Sequence, residues 1–144
     1  MLHLAAERAA GAHPYFVPIE HTSIAREALG PEPLLAVEQA IVLEGDPARA
    51  REIARTHTRR YLAAQNYVNN LRRLGWSDRD LSPDGGSDAL VDAIVAHGGP
   101  AEAARRVSDH LSRGADHVCV QVILADATRA PLAELRALGP HLPA

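Results

Sequence analysis

The chain has 144 residues, of which 47% are hydrophobic and 23% are charged, with a formal net charge of −3 at pH 7. This length and composition predict one globular domain over residues 1–144 with a substantial core. The net charge is negative and no basic block occurs, which argues against nucleic acid or a membrane surface as partner. No apolar run is long enough to span a bilayer, and Cys119 is the single cysteine, so a cytoplasmic location is expected.

The N-terminal part of the chain alternates predicted helices and strands. Apolar residues at helical spacing predict a helix over 2–10, and a strand is predicted over 12–17. The polar run Glu20-His21-Thr22-Ser23 is expected to cap a helix over 23–29. A near-continuous apolar run over 34–44 then indicates a strand that is covered on both faces.

The remainder of the chain continues the same alternation. Asp46 and Pro47 predict the start of a long helix, and residues 64–88 read as a helical and loop insert within the domain. One face of the long helix carries Ala50, Ile53, Ala54, His57 and Tyr61. The last predicted elements are a short strand near 93–97, a helix over 100–113, a strand over 117–123 and a helix over 131–139.

Strands separated by helices in this way predict a parallel sheet with right-handed crossovers. An open doubly wound sheet and part of a (β/α)₈ barrel both fit. The strands 34–44 and 117–123 each combine an apolar face with a small, polar face, which favours a barrel because its lumen accommodates polar groups. The residues expected to face that lumen are His13, Tyr15, Glu38, Glu44, His117, Cys119 and Gln121.

Several side chains are candidates for chemistry, each with a structural alternative. No histidine pair or cysteine pair has metal-ligand spacing, so no metal site is expected. The turn Gly98-Gly99-Pro100 opens a helix whose N–H groups suit an anion, or it only turns the chain. His21 is either an acid/base or cofactor contact or part of a helix cap. Glu38 is expected to pair with His117 or an arginine, and Cys119 to be a buried structural thiol.

Five segments in order carry a resemblance to a known family. They are GAHPYFVPIEHT…AREALGP, LLAVEQAIVLEGDPARAREIAR, NYVNNLRRLGW, GGSDALVDAIVAHGGPAEAARRV and GADHVCVQV. Together they cover nearly the whole chain and resemble the luciferase-like monooxygenase family, within it the branch that uses coenzyme F420 as hydride carrier. FMN-dependent relatives share the barrel, so the resemblance identifies the family more specifically than the cofactor.

The resemblance implies a (β/α)₈ barrel of which this chain is the C-terminal half. Met1 would then be an internal methionine, and the first four strands would be missing. It also implies cofactor contacts in two groups, whereas Glu38 and Gln39 would be mainly scaffold and no catalytic residue is assigned. The implied cofactor-binding residues are His13, Pro14, Tyr15, Glu20, His21, Thr22, Gly98 and Gly99.

The function implied by the resemblance is hydride transfer between F420 and an organic small-molecule substrate. The alternatives are an FMN-dependent monooxygenase and a non-catalytic α/β interaction module or partner subunit. A half barrel would leave the strands 12–17 and 117–123 as open edges, which are prone to pair with other strands. A homodimer, or pairing with an N-terminal half from another chain, is therefore expected.

Overall fold

A computed structural model of the chain describes residues 1–143 and shows α-helices packed around a four-stranded parallel sheet. The helices are α1 Leu2–Arg8, α2 Glu20–Leu29, α3 Pro47–Leu62, α4 Gln65–Arg73, α5 Asp88–Ile94, α6 Pro100–Ser112 and α7 Leu132–Leu138. The strands are β1 Gly11–Ala12, β2 Leu34–Val42, β3 Val95–His97 and β4 His117–Val122, and a short 3₁₀ helix covers Gly139–His141. The mixed α/β class and the parallel pairing agree with the sequence prediction.

Local chemistry explains where the longest helix begins. The carboxylate of Asp46 accepts a hydrogen bond of 2.9 Å from the N–H of Ala48, and Pro47 occupies the first helical position. Proline suits that position because its missing N–H would have no partner within the helix. The predicted start of α3 is therefore confirmed. None of the helices within residues 1–143 is long and apolar enough to cross a membrane.

β2 is the central strand of the sheet. Ala40 pairs with both Val95 and Gln121, so β3 and β4 lie on opposite edges of β2. The N–H groups of Leu34 and Glu38, which point to the same edge as that of Ala40, donate to the carbonyls of Ala10 and Pro14. β1 therefore lies on the same edge of β2 as β3. The four strands do not follow one another across the sheet in chain order.

The alternating faces predicted for β2 are confirmed. Leu35 and Val37 pack against α1 and α2, and Ile41 packs against α6 and α7 on the same face. On the other face, Ala40 and Val42 join the largest core cluster, which the residues of α3, α4 and α5 complete. The sheet thus carries helices on both faces towards the C-terminal end of β2, while the N-terminal part of one face stays uncovered.

Two predicted boundaries near the N-terminus are wrong. The strand expected over 12–17 pairs only through Gly11–Ala12, because Pro14 has no N–H to donate and Phe16 adopts a left-handed φ of 55° that interrupts extended backbone. The polar run beginning at Glu20 does not cap α2 from outside. It forms the first turn of that helix, whose N-cap is Ile19.

Candidate functional site

The uncovered part of the sheet carries a row of polar side chains. Register pairs Glu38 with Cys119 and Ala40 with Gln121, so in a parallel sheet these side chains project from the same face. His13 reaches the same strand, since its Nδ1–H donates a hydrogen bond of 2.7 Å to the carbonyl of Ala36. We call this surface the polar sheet face, defined by His13, Tyr15, Glu38, His117, Cys119 and Gln121.

Glu38 is the buried member of this face, and one of its two carboxylate oxygens has no hydrogen-bond partner within residues 1–143. The side chain is 5% exposed, and its Oε2 accepts a hydrogen bond of 3.4 Å from the N–H of Phe16. Oε1 is buried and has no partner among residues 1–143. Burial raises the pKa of Glu38 to about 7, although the Phe16 N–H opposes that rise. The predicted pairing with His117 or an arginine is wrong.

A chain of tyrosine hydroxyls connects the polar sheet face to α3. Tyr61 donates a hydrogen bond of 3.0 Å to the hydroxyl of Tyr15, which in turn donates to Oε1 of Gln121. Burial, followed by the hydrogen bond with Tyr61 and the nearby Glu38, raises the pKa of Tyr15. The Tyr15 hydroxyl is therefore a hydrogen-bonding group that stays protonated at neutral pH.

Aromatic rings surround this hydrogen-bonded chain. Phe16 stacks on Tyr61 at a centroid distance of 4.9 Å, and Tyr67 meets Tyr61 edge-on at 5.0 Å. His57 lies 4.8 Å from Tyr61, with burial and the neighbouring Arg60 lowering its pKa to about 4. Its Nε2 has no hydrogen-bond partner within the described chain. The helical spacing predicts His57 and Tyr61 on one face of α3, but it does not predict that they lie beside Tyr15.

A groove of about 980 Å³ opens next to this cluster, between the N-terminal segment, α2 and α4. Four of the sequence-predicted cofactor residues line it: His13, Pro14, Tyr15 and His21. His21 is 8% exposed, its Nδ1 lacks a partner in the part of the chain described, and burial lowers its pKa. The imidazole is therefore neutral and lines the groove, but its unpaired Nδ1 is buried behind the groove wall.

The opposite wall of the groove comes from α4, which the sequence analysis treated only as part of an insert. It contributes Asn66, Tyr67, Asn70 and Arg73. Arg73 is exposed and has no ion-pair partner among residues 1–143. Amide groups and an uncompensated guanidinium at the rim of an aromatic groove suit a ligand with a planar ring and an anionic group.

Glu20 and Thr22 do not join their predicted neighbours at the groove. Glu20 is exposed on the first turn of α2, on the side of Arg106. Thr22 is fully buried and bonds Nδ1 of His110 at 2.7 Å, while Nε2 of the same ring lies 2.9 Å from Oε1 of Gln39. We call Thr22, His110 and Gln39 the buried polar chain, which joins α2, α6 and β2.

Gly98 and Gly99 lie apart from the groove, at the start of α6. A separate depression of about 310 Å³ lies there, lined by charged residues including Asp92, His97 and Arg106. The carboxylate of Glu102 folds back over the two glycines, with Oε2 2.6 Å from the position that a Cβ on Gly99 would take. Hydrogen bonds from two backbone N–H groups help lower the pKa of Glu102. The larger effect comes from the N–H of Glu102 itself and a smaller one from that of Gly99. The anion position of this turn is thus filled by the protein's own carboxylate.

Neither Cys119 nor any cluster of potential metal ligands within residues 1–143 forms a reactive centre at this face. Cys119 is half-buried on the polar sheet face, so it is less buried than the structural thiol that was predicted. Within residues 1–143, no three histidine, cysteine, aspartate or glutamate side chains come close enough together to hold a metal ion. Comparison with models of known protein families gives no match, and comparison with curated proteins gives none either.

Proposed function

We propose that this chain is the C-terminal half of a luciferase-like (β/α)-barrel oxidoreductase and that its groove binds coenzyme F420 for hydride transfer to an organic substrate. The observation that carries the proposal is the convergence of His13, Pro14, Tyr15 and His21 on one groove beside an uncovered polar sheet face. The resemblance named these four residues as cofactor contacts. A polar sheet face with no helix over it, as here, is what remains when part of a barrel wall is removed.

The strand order is compatible with this proposal in a specific way. β1, β2 and β4 follow one another across the sheet as adjacent wall strands of a barrel would. β3 pairs with β2 only at Ala40–Val42, on the edge that β1 leaves after Pro14. We therefore assign α3, α4, α5 and β3 to an excursion between two wall strands, so the chain would supply three of the four wall strands that a half barrel needs.

The residues of the groove fit F420 as a ligand. F420 is a hydride carrier with a planar ring and a phosphate. The ring requires flat apolar contacts, and the phosphate requires a cation. Tyr15 and Tyr67 offer ring faces and edges, and Arg73 offers the cation. His21 contributes a neutral ring to the groove wall, and Val17 and Ile24 add apolar surface to it. FMN has the same general chemistry and is the alternative cofactor.

Titration of the full chain with F420 and with FMN tests this function. We expect F420 to bind, detected by quenching of its fluorescence, and His13→Ala to weaken binding by roughly tenfold, which corresponds to about one lost hydrogen bond. His141→Ala is the matched control, because His141 is also an exposed histidine but lies in the C-terminal 3₁₀ helix. Preferential binding of FMN would support the monooxygenase alternative.

A second candidate function is a non-catalytic module that pairs with another chain. The outer edge of β4 favours it, because that strand has β2 as its one partner among the described residues and its valines are half-buried. An edge strand of this length, free on one side, is a template for strand addition. Absence of binding by both cofactors, together with a stable complex through β4, would favour this module over the oxidoreductase.

A further inference from the structure

Glu38 and Phe16 form an unusual pair below the groove. Phe16 is 1% exposed and has a φ of 55°, a conformation that costs roughly 1–3 kcal/mol for a residue with a side chain. Its N–H donates to Oε2 of Glu38, and its ring stacks on Tyr61. The strained backbone is therefore held from two sides, by a carboxyl group beneath it and an aromatic ring beside it.

The strained peptide also sets the position of Tyr15. The N–H that Glu38 accepts belongs to the peptide plane joining Tyr15 to Phe16, so rotation of that plane changes ψ of Tyr15. Tyr15 lines the groove and bonds Gln121 of the polar sheet face. Pro14, immediately before it, has a fixed φ and restricts how the segment relaxes. A change at Glu38 is thus transmitted through one peptide group to the groove wall.

We propose that Glu38 is the positioning residue of the groove: as a carboxylate it holds the Tyr15–Phe16 peptide and keeps Tyr15 in its ligand-binding position, and on protonation it loosens that hold. The inference rests on the proposed function only in taking the groove as the ligand site. It assigns to Glu38 a role beyond the scaffold role that the resemblance implies.

The surroundings of Glu38 leave its charge free to change near neutral pH. Burial raises the pKa of Glu38 to about 7, and no cation among residues 1–143 contacts its free Oε1. A hydrogen bond to a charged acceptor is about twice as strong as one to a neutral acceptor. The titratable groups on the elements that pack around Glu38 are His13 and Tyr15 on the N-terminal segment, His57 and Tyr61 on α3, and His117 and Cys119 on β4.

NMR of the ¹⁵N-labelled full chain tests the inference without any ligand. We expect the amide shifts of Tyr15 and Phe16 to titrate with a midpoint near the Glu38 pKa of about 7. Glu38→Gln keeps an oxygen for the Phe16 N–H but cannot ionise, so this midpoint should vanish. Glu44→Gln is the matched control on the same segment, because Glu44 lies beyond the end of β2 beside Arg49 and should leave the midpoint unchanged.

Ligand binding gives the second readout. In the wild type, F420 affinity should fall by roughly fivefold as the pH drops through the midpoint, and in Glu38→Gln that dependence should flatten. Should Glu38→Gln fail to fold, Glu38→Asp keeps the titration but shortens the reach to Phe16, so a smaller shift of the Phe16 amide is expected. Amides that stay flat through neutral pH in the wild type, or that titrate equally in Glu38→Gln, would overturn the inference.

The two proposals fail separately. If the Tyr15 and Phe16 amides titrate as expected but neither F420 nor FMN binds to any variant, the positioning role of Glu38 stands and the cofactor assignment fails. If F420 binds with a pH dependence that Glu38→Gln does not change, the cofactor assignment stands and the positioning role fails.

Discussion

Thr22 shows how one residue that resembles a cofactor contact in sequence serves the core instead. Its hydroxyl bonds His110, and Nε2 of Gln39 donates to the carbonyls of Ala40 and Ile94, which leaves Oε1 of Gln39 to accept from His110. The imidazole is therefore neutral with its proton on Nε2, and Nδ1 accepts from Thr22. Burial and the nearby Arg106 lower the pKa of His110 to about 4, which keeps this arrangement intact at neutral pH.

We expect Thr22→Val to lower the free energy of unfolding by about 1–3 kcal/mol, because the buried Nδ1 of His110 loses its donor while the side-chain volume is kept. Thr22→Ser retains the hydroxyl and should cost less. Urea unfolding followed by circular dichroism measures both. Affinity of the folded Thr22→Val protein for F420 should match the wild type, and a large loss of affinity would return Thr22 to the ligand site.

Two neighbours of Phe16 contribute to stability with opposite pH dependences. Glu38 has a pKa of about 7 in the folded chain against an ordinary value of 4.5, so its contribution is greatest below 4.5 and declines as the pH rises to 7. His57 has a folded pKa of about 4 against 6.5, so its contribution is present above 6.5 and is lost as the pH falls to 4. The two partly cancel in the wild type.

Comparison of the wild type with Glu38→Gln isolates the carboxyl group. Between pH 4.5 and pH 7, the stability of the wild type relative to this variant should decrease by about 3 kcal/mol, since each unit of pKa shift corresponds to about 1.4 kcal/mol. Urea unfolding at several pH values measures this difference. A difference that stays constant across the window would mean that Glu38 ionises with an ordinary pKa.

At the scale of single elements, the pairing of β1 with β2 depends on a glycine. A Cβ on Gly11 would lie 2.0 Å from the carbonyl oxygen of Leu34, so no side chain fits without separating the strands. We expect Gly11→Ala to destabilise the chain by about 1–3 kcal/mol. Gly45→Ala is the control, because nothing lies within 4 Å of the Cβ it would add. Equal urea midpoints for the two variants would show that β1 is not held against β2.

The elements also show how much of the fold can be predicted from the sequence. The period-two pattern of β2 is strong because Leu35, Val37 and Ile41 all face helices, and it predicted that they share one face. Glu44, predicted to continue the other face, lies beyond the end of β2 and pairs with Arg49. Proline and backbone strain ended the first strand early, and the left-handed conformation of Phe16 has no sequence signal because bulky residues rarely adopt it. The edge of β2 on which β3 lies depends on how α3 and α5 pack. The sequence of a three-residue strand does not specify that packing.

The sequence predicts only part of the candidate site, namely the residues that lie close together along the chain. His13, Pro14, Tyr15 and His21 are close in sequence, so their convergence on one groove follows from local chain direction. Tyr67 and Arg73 come from a helix more than forty residues away, and only tertiary packing brings them there. Gly98 and Gly99 resembled an anion site because the sequence cannot show that Glu102 folds back over them.

At the scale of the whole molecule, the sheet has a free edge along β4. Ile123 N–H donates to Ile41, so alternate residues of β4 point their N–H groups at β2 and those of Val118, Val120 and Val122 point outward. This outward row has no partner among residues 1–143. We infer that a second copy pairs there, which would cover part of the half-buried valine strand.

Light scattering of the full chain measures this assembly. We expect a particle of at least twice the 15.4 kDa chain mass, and Val120→Pro should shift it towards the monomer because proline removes one outward N–H without taking a hydrogen bond from β2. Val120→Ala loses similar packing but keeps the N–H, so it should remain associated. A monodisperse wild-type monomer would contradict both the edge pairing and the half barrel, because both leave the six-residue edge of β4 free to pair with another strand.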